Sequence, residues 1–460
     1  NREGDDGRDG GEGRGTMREM PEAPKLLKLI GPSFIILGVG LGSGELILWP
    51  YLASNFGLGI AWAAVVGITL QFFLNMEIER YSLVTGESVF AGWTKKWGRM
   101  MPVWFIVSTI IPWMWPGILA AAAVAAAAAA GMEYSRWWGM GMLVVLGGIY
   151  SIGKVVYRTQ EWVQKAIILL GVPLVVGLTI WLAGKSDWIA LAAGVVNVGR
   201  LPQGIPLATF LAALVYSGAG GNLNLAQSLY VKEKGYGMGK YAGHITNILA
   251  GKEEEASLTG EVFAQTGTNI SRFKTWWSRI NLEHGIIFWA TGVMTMLLLM
   301  LLAYATVHGH PEVGSSIKFV LLEAKAVGGL GVVFLVAVAL MLFGTQFAVY
   351  GSNARMATEN LALLIPSSKA HHISRYFYGF LWLQIALGIV ILGAGFIEPL
   401  ALVITGAVLN AVAMSIYAFL ILGLNLSLPK ALRPNWWRVG MVALAGLLYG
   451  GFTAFTIWNI

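Results

Sequence analysis

Two long apolar runs in this chain are interrupted at their centres by glycine. The first interruption is Gly38-Val39-Gly40-Leu41-Gly42-Ser43-Gly44-Glu45, and the second is Ser217-Gly218-Ala219-Gly220-Gly221-Asn222. Each run is long enough to cross a bilayer. Glycine loses the most backbone entropy on ordering and has no side chain to pack, so a helix this rich in glycine is expected to break. Non-helical backbone at membrane depth survives only where it lines a cavity or is buried in protein. Interrupted spans at matching places in two halves of a chain point to the substrate site of a secondary transporter. The separation of Gly44 from Gly221 is about that of five spans with their connectors. The two runs then cross in opposite directions, as an inverted repeat requires.

Composition agrees with a membrane chain. Of the 460 residues, 56% are hydrophobic and 12% charged, and the mean hydropathy is +0.67, outside the range of soluble globular domains. Apolar windows lie near 27–50, 59–80, 101–130, 137–153, 164–183, 205–230, 285–307, 327–352, 374–395, 398–425 and 438–458. They predict an all-α integral membrane protein with about eleven spans of roughly 20 residues each. The expected division is a tail over 1–24, a first repeat over 25–200 and a second over 201–428, with a last span in 429–460. The tail has no apolar residue from Asn1 to Arg14 and is expected to be disordered. With no apolar stretch before Leu26, it does not read as a signal peptide. Cysteine is absent, which excludes disulfides and thiolate metal sites.

The net charge of +7 is a topology signal rather than a nucleic-acid footprint. Of 31 Lys and Arg residues, only Arg136, Lys185, Arg200, Lys318 and Lys325 fall on one face of this span arrangement. Positive residues stay cytoplasmic, so the N-terminus is expected inside and Ile460 outside, in the plasma (inner) membrane.

Other features have plain structural readings. The segment 231–283 reads as a cytoplasmic connector on the membrane surface, with a charged Lys252-Glu253-Glu254-Glu255 and an amphipathic Phe273-Lys274-Thr275-Trp276-Trp277. Trp113, Trp115, Trp137, Trp138, Trp436 and Trp437 read as interfacial belts. The alanines from Ala120 to Ala130 read as a flat packing surface. His308 and His310 have few partners for metal capture, and Glu77, Glu79 and Arg80 are expected to pair with one another near the headgroups.

Several of these residues together resemble the NRAMP family of divalent-metal transporters. They are Gly31-Pro32-Ser33-Phe34 opening span one, Asn55-Phe56-Gly57 before span two, Leu83-Val84-Thr85-Gly86-Glu87 after it, and Asn222-Leu223 in span six. The resemblance covers most of residues 25–460 in order and span count. It implies the leucine-transporter-like fold, a five-plus-five inverted repeat with helices 1 and 6 unwound at mid-membrane, and an eleventh helix. The chain departs from the family at the metal. Where the family has Asp-Pro-Gly-Asn, this sequence has Gly42-Ser43-Gly44-Glu45; where it has Met-Pro-His-Asn, this sequence has Ala219-Gly220-Gly221-Asn222. A glutamine ligand of span ten aligns with Gly406. The proton-handling carboxylates of span three and histidines of span six have no counterpart, and Arg375 alone resembles the arginines of span nine. A related branch that handles Mg²⁺ also lacks the span-six methionine.

The residues left to line a site are Gly42, Ser43, Glu45, Tyr216, Ala219, Asn222, Asn224, Gln346, Gly406 and Asn410, with Glu45 and Asn222 as the metal ligands. Glu45 is the carboxylate of the broken spans, and a mid-membrane ionisable group is a functional hypothesis by default; capping a broken half-helix is its structural alternative. For the amides, helix–helix hydrogen bonding is an equal alternative. An oxygen-only lining favours Mg²⁺, Mn²⁺ or Ca²⁺ over softer metals. The expected function is secondary transport of a hard divalent cation without proton coupling. The alternatives are transport of an amine or amino acid on the same fold, and a non-transporting membrane sensor. No enzyme constellation and no cofactor are expected, and the partners are the transported cation or small solute and the lipid bilayer.

Overall fold

The computed structural model describes residues 18–29, 31–152, 156–242, 258–314, 316–365 and 373–458, and all regular structure among them is helical. Span one comprises α1 (Pro32–Ser43), a π-helical turn over Gly44–Leu48 and α2 (Trp49–Phe56). Pro32 sits in the first turn, where a missing N–H costs nothing. Span two is α3 (Ala61–Thr85), closed by Gly86 in the left-handed region at φ +75°. After α4 (Val89–Trp97), span three is split into α5 (Met100–Trp113) and α6 (Gly117–Ala129). The sequence reads as one span there. Pro116 breaks it, since proline donates no backbone hydrogen bond and holds Trp115 away from the helical region.

Then follow α7 (Arg136–Ile152), α8 (Val156–Leu182) and α9 (Lys185–Val196). Span six is α10 (Leu207–Val215) and α11 (Ala226–Glu233), separated by its break. The remaining elements are α12 (Gly267–His284), which runs through a π turn into α13 (Thr291–Val307), then α14 (Lys318–Ala326) and α15 (Gly331–Leu364). The chain ends with α16 (Ile373–Gly393), α17 (Pro399–Asn425) and α18 (Trp436–Trp458). Among the described residues, nine helices are long and apolar enough to cross a membrane. The two other expected spans coincide with α7 and with the broken α10–α11 pair.

Contacts across the bundle show how the spans run. Gly31 meets Lys234, Gly40 meets Gly218 and Gly44 meets Tyr216, so spans one and six are antiparallel. Gly67 against Ser217 and Gln227 bonded to Glu79 make spans two and six parallel. Ser33 bonded to Glu283, and Glu45 to Thr295, make spans one and seven parallel. These directions are those of an inverted repeat. Outward-facing residues such as Leu170, Ile180, Val333, Val390 and Leu447 are exposed on the bundle surface, where lipid would cover them.

Some sequence readings move. Trp113 is buried against Tyr216, at 5.2 Å between ring centroids, and is not interfacial. Glu77 pairs with Arg80 at 2.7 Å and with Arg438 of α18 at 3.1 Å, whereas Glu79 is bonded by Gln227 instead. His308 stacks on Tyr304 and bonds to the Ser54 carbonyl. Residues 18–24, placed by the sequence in the tail, lie along α12. There Arg279 donates to the carbonyls of Ala23 and Pro24, and Trp276 to that of Pro21. Residues 1–17 and Lys252-Glu253-Glu254-Glu255 are outside the described residues.

Candidate functional site

The break in span six is built from glycine backbone and buried amides. Helix α10 stops at Val215, and the chain resumes as a 3₁₀ turn over Gly221–Leu225. Gly220 and Gly221 have φ of +73° and +55°, a region that side chains with a Cβ rarely enter. Gln71 of α3 takes up the freed backbone groups. Its amide donates to the Val215 carbonyl at 2.7 Å, and its oxygen accepts from the Gly220 N–H at 3.1 Å. Tyr417 of α17 donates to the Gly221 carbonyl at 3.1 Å and accepts from Asn224 at 2.9 Å. Asn410 donates to the Tyr216 hydroxyl at 3.0 Å. Asn222 donates to Ser108 and Thr109 of α5 at 2.8 and 2.9 Å.

Span one does not unwind, which corrects the expectation for helix 1. Ser43, Gly44 and Leu48 all keep right-handed helical dihedrals, and the irregularity is only the π turn. Its glycines serve close approach. A Cβ on Gly44 would fall 1.6 Å from the Tyr216 carbonyl oxygen, one on Gly42 2.4 Å from Thr345, and one on Gly40 3.0 Å from the Gly218 backbone. The helix-capping alternative for Glu45 is likewise set aside, because there is no separate half-helix for it to cap. Its side chain is 1% exposed in residue terms and accepts a hydrogen bond from Thr295 of α13 at Oε2, while Oε1 has no partner.

Among the sequence-chosen residues, Tyr216, Asn222, Asn224, Gly406 and Asn410 come together around the break. A Cβ on Gly406 would lie 3.3 Å from the Tyr216 hydroxyl, and Ala219 is buried within the break itself. Gln346 is next to Thr345, which donates to the Gly38 carbonyl at 3.1 Å. Glu45 and Asn222 are held by different helices, α13 and α5. Ser43 Oγ, both amide atoms of Gln346, and the Oδ1 atoms of Asn222, Asn224 and Asn410 are buried without a partner. Sequence reasoning missed Gln71, Ser108, Thr109, Thr295, Thr345 and Tyr417. Gln71 was open to discovery as an uncharged amide midway along an apolar span; single hydroxyls in membrane helices carry no such signal.

No protein-family model and no curated protein matches the sequence. Solved structures do match in shape. A manganese transporter from Eremococcus coleocola, in a point-mutant crystal structure, superposes with a TM-score of 0.68 at 13% identity, covering 96% of this chain and 89% of that one. The same transporter in complex with an aromatic bis-isothiourea-substituted compound gives 0.68 at 13%, covering 95% and 88%. Mhp1, a nucleobase-cation-symport-1 family transporter in a closed conformation with bromovinylhydantoin bound, gives 0.53 at 13%, covering 93% and 92%. The chain therefore has the leucine-transporter-like fold of these proteins and is an integral membrane protein.

Proposed function

We propose that the chain is a secondary transporter of a hard divalent cation, carried at the crossing of span one and the span-six break. One observation carries this reading: Glu45 Oε1, Ser43 Oγ, Gln346 and the Oδ1 atoms of Asn222 and Asn410 are buried oxygen-bearing groups that no protein donor satisfies. Leaving such a group unpaired costs about 1–3 kcal/mol, and a cation with its waters removes that cost. Among the described residues no three His, Cys, Asp or Glu side chains cluster as a metal cage. An ion held by one carboxylate, neutral oxygens and its own hydration suits Mg²⁺ or Mn²⁺. Ala219 leaves the lining without sulfur. That the fold is shared by a manganese transporter supports the assignment, as does the resemblance to NRAMP sequences. The charge asymmetry supports a cytoplasmic N-terminus.

Flux of Mg²⁺, Mn²⁺, Ca²⁺ and Cd²⁺ into liposomes holding the purified chain tests the proposal. Mg²⁺ or Mn²⁺ should enter faster than Cd²⁺. Faster Cd²⁺ entry contradicts an oxygen-only site. No divalent flux, with binding of an alkylammonium solute instead, transfers Glu45 to the role of ammonium partner.

A further inference from the structure

At the other end of span one, three buried polar side chains share a single hydroxyl. Ser33, in the first turn of α1, lies 2.5 Å from Glu283 Oε2 and 2.8 Å from His284 Nδ1, both on the last turn of α12. The relative exposures are 0%, 5% and 0% for Ser33, Glu283 and His284. The imidazole is stacked between Phe72 and Phe288, at centroid distances of 5.6 and 4.6 Å. Glu283 is close enough to Glu79 of α3 for its charge to act there, and Glu79 accepts from Gln227 of α11, at 3.3 Å. Glu283 Oε1 and His284 Nε2 have no partner.

The arginines nearby are engaged elsewhere. Arg80 and Arg438 are committed to Glu77, and Arg279 donates to the carbonyls of Ala23 and Pro24. Lys232 of α11 is buried with an unpartnered Nζ, Lys234 lies across Gly31, and Glu233 is paired with Arg355. Among the described residues, neither Glu79 nor Glu283 is in an ion pair, and the group is not a three-ligand metal cluster. Two desolvated carboxylates without a bonded cation repel each other and are costly to keep ionised. A bound proton removes both penalties.

We propose that Glu283, Ser33 and His284, with Glu79 beside them, form a proton-binding station that loads and unloads as the chain transports its cation. The hydroxyl has one hydrogen, which fixes the bookkeeping. With Glu283 ionised, Ser33 donates to the carboxylate, so His284 must carry its hydrogen on Nδ1 and leave Nε2 bare. Uptake of one proton from water either protonates Nε2, giving imidazolium beside carboxylate, or protonates Glu283. In the second case Glu283 donates to Ser33, Ser33 donates to a bare Nδ1, and the imidazole hydrogen sits on Nε2. Release reverses the step, and no group is oxidised or reduced. The station joins α1, α3 and α12, with Gln227 of α11 bonded to its edge at Glu79. The expectation of proton-independent transport rested on spans three and six, and this group lies on neither.

The binding half of the proposal stands apart from the transport reading, and the coupling half rests on it. Infrared titration of the full chain in nanodiscs reads the first. A protonated-carboxyl band should titrate in the wild type, lose intensity in Glu283→Gln and Glu79→Gln, and shift its midpoint by about one pH unit in Ser33→Ala, a milder change that keeps the fold. A band and midpoint unmoved by all three variants overturn the station. A pH-sensitive dye inside the transporting liposomes reads the second: Glu283→Gln should abolish proton entry. Wild-type divalent flux without proton movement refutes coupling while leaving the proposed function intact. Absence of divalent flux refutes the proposed function while the infrared result still judges the station.

Discussion

Span one keeps a right-handed helical backbone through Gly38–Glu45, whereas span six comes apart over Tyr216–Gly220. Both stretches are dense in glycine, so density does not decide. In span six Gly220 and Gly221 take positive φ, and Gln71 and Tyr417 are in place to bond the backbone groups that unwinding frees. In span one the glycines stay helical and serve as the smooth face on which the span-six break rests, with Tyr216 against Gly44 and Gly218 against Gly40. One helix is kept intact so that the other can open against it. The lesson is that a mid-membrane break needs partners for its backbone as well as residues that tolerate it.

The largest effect should come from adding a methyl where the two stretches meet. Gly44→Ala places Cβ 1.6 Å from the Tyr216 carbonyl, a backbone atom that no rotamer change can move, and should cost about 3 kcal/mol. Thermal unfolding in detergent checks it, and a melting temperature equal to wild type would mean that the stretches are not in contact. Gly221→Ala adds strain at φ +55° to a clash with the Asn410 side chain. Removing that side chain with Asn410→Gly should restore only part of the loss, and full rescue would argue that the left-handed backbone is dispensable.

A middle-sized effect is expected from Gln71→Leu, which leaves the Val215 carbonyl and the Gly220 N–H unpaired at a cost of about 1–3 kcal/mol. Hydrogen exchange should quicken over residues 215–224 and stay unchanged over 38–48. Equal quickening in both would erase the distinction between the spans. The smallest effect belongs to Thr345→Val, which removes one bond to the Gly38 carbonyl. That oxygen lies in a helix, so the change should be about 0.5–1 kcal/mol.

The spans, their alternating directions and the residues that gather around the span-six break (Tyr216, Asn222, Asn224, Gly406 and Asn410) were legible in the sequence, because apolar length and recurrent glycine are local or additive signals. The role of Gly44 was not. Its demand for a missing Cβ comes from Tyr216, far along the chain, and nothing near Gly44 records that neighbour. The split of span three was hidden because Trp115-Pro116 lies in an otherwise apolar run, although the proline was there to be weighed. Thr295, Ser108 and Thr109 were invisible since a hydroxyl in a membrane helix usually bonds its own backbone, and for Thr295 the Thr291 carbonyl at 2.9 Å is the alternative acceptor to Glu45. Glu283 and His284 fell at the boundary drawn for span seven, where charged residues draw no notice. The helix α12 continues through that boundary and buries them.

The central claim is that Glu45 is the charge that holds a divalent cation where the two stretches cross. Calorimetry of Mn²⁺ binding to wild type and to Glu45→Gln, in the same detergent and with matched unfolding temperatures, tests it most directly. Binding to the wild type that falls at least about tenfold in the variant, a loss of about 1.4 kcal/mol, is the predicted result. Equal binding by the two proteins would contradict it.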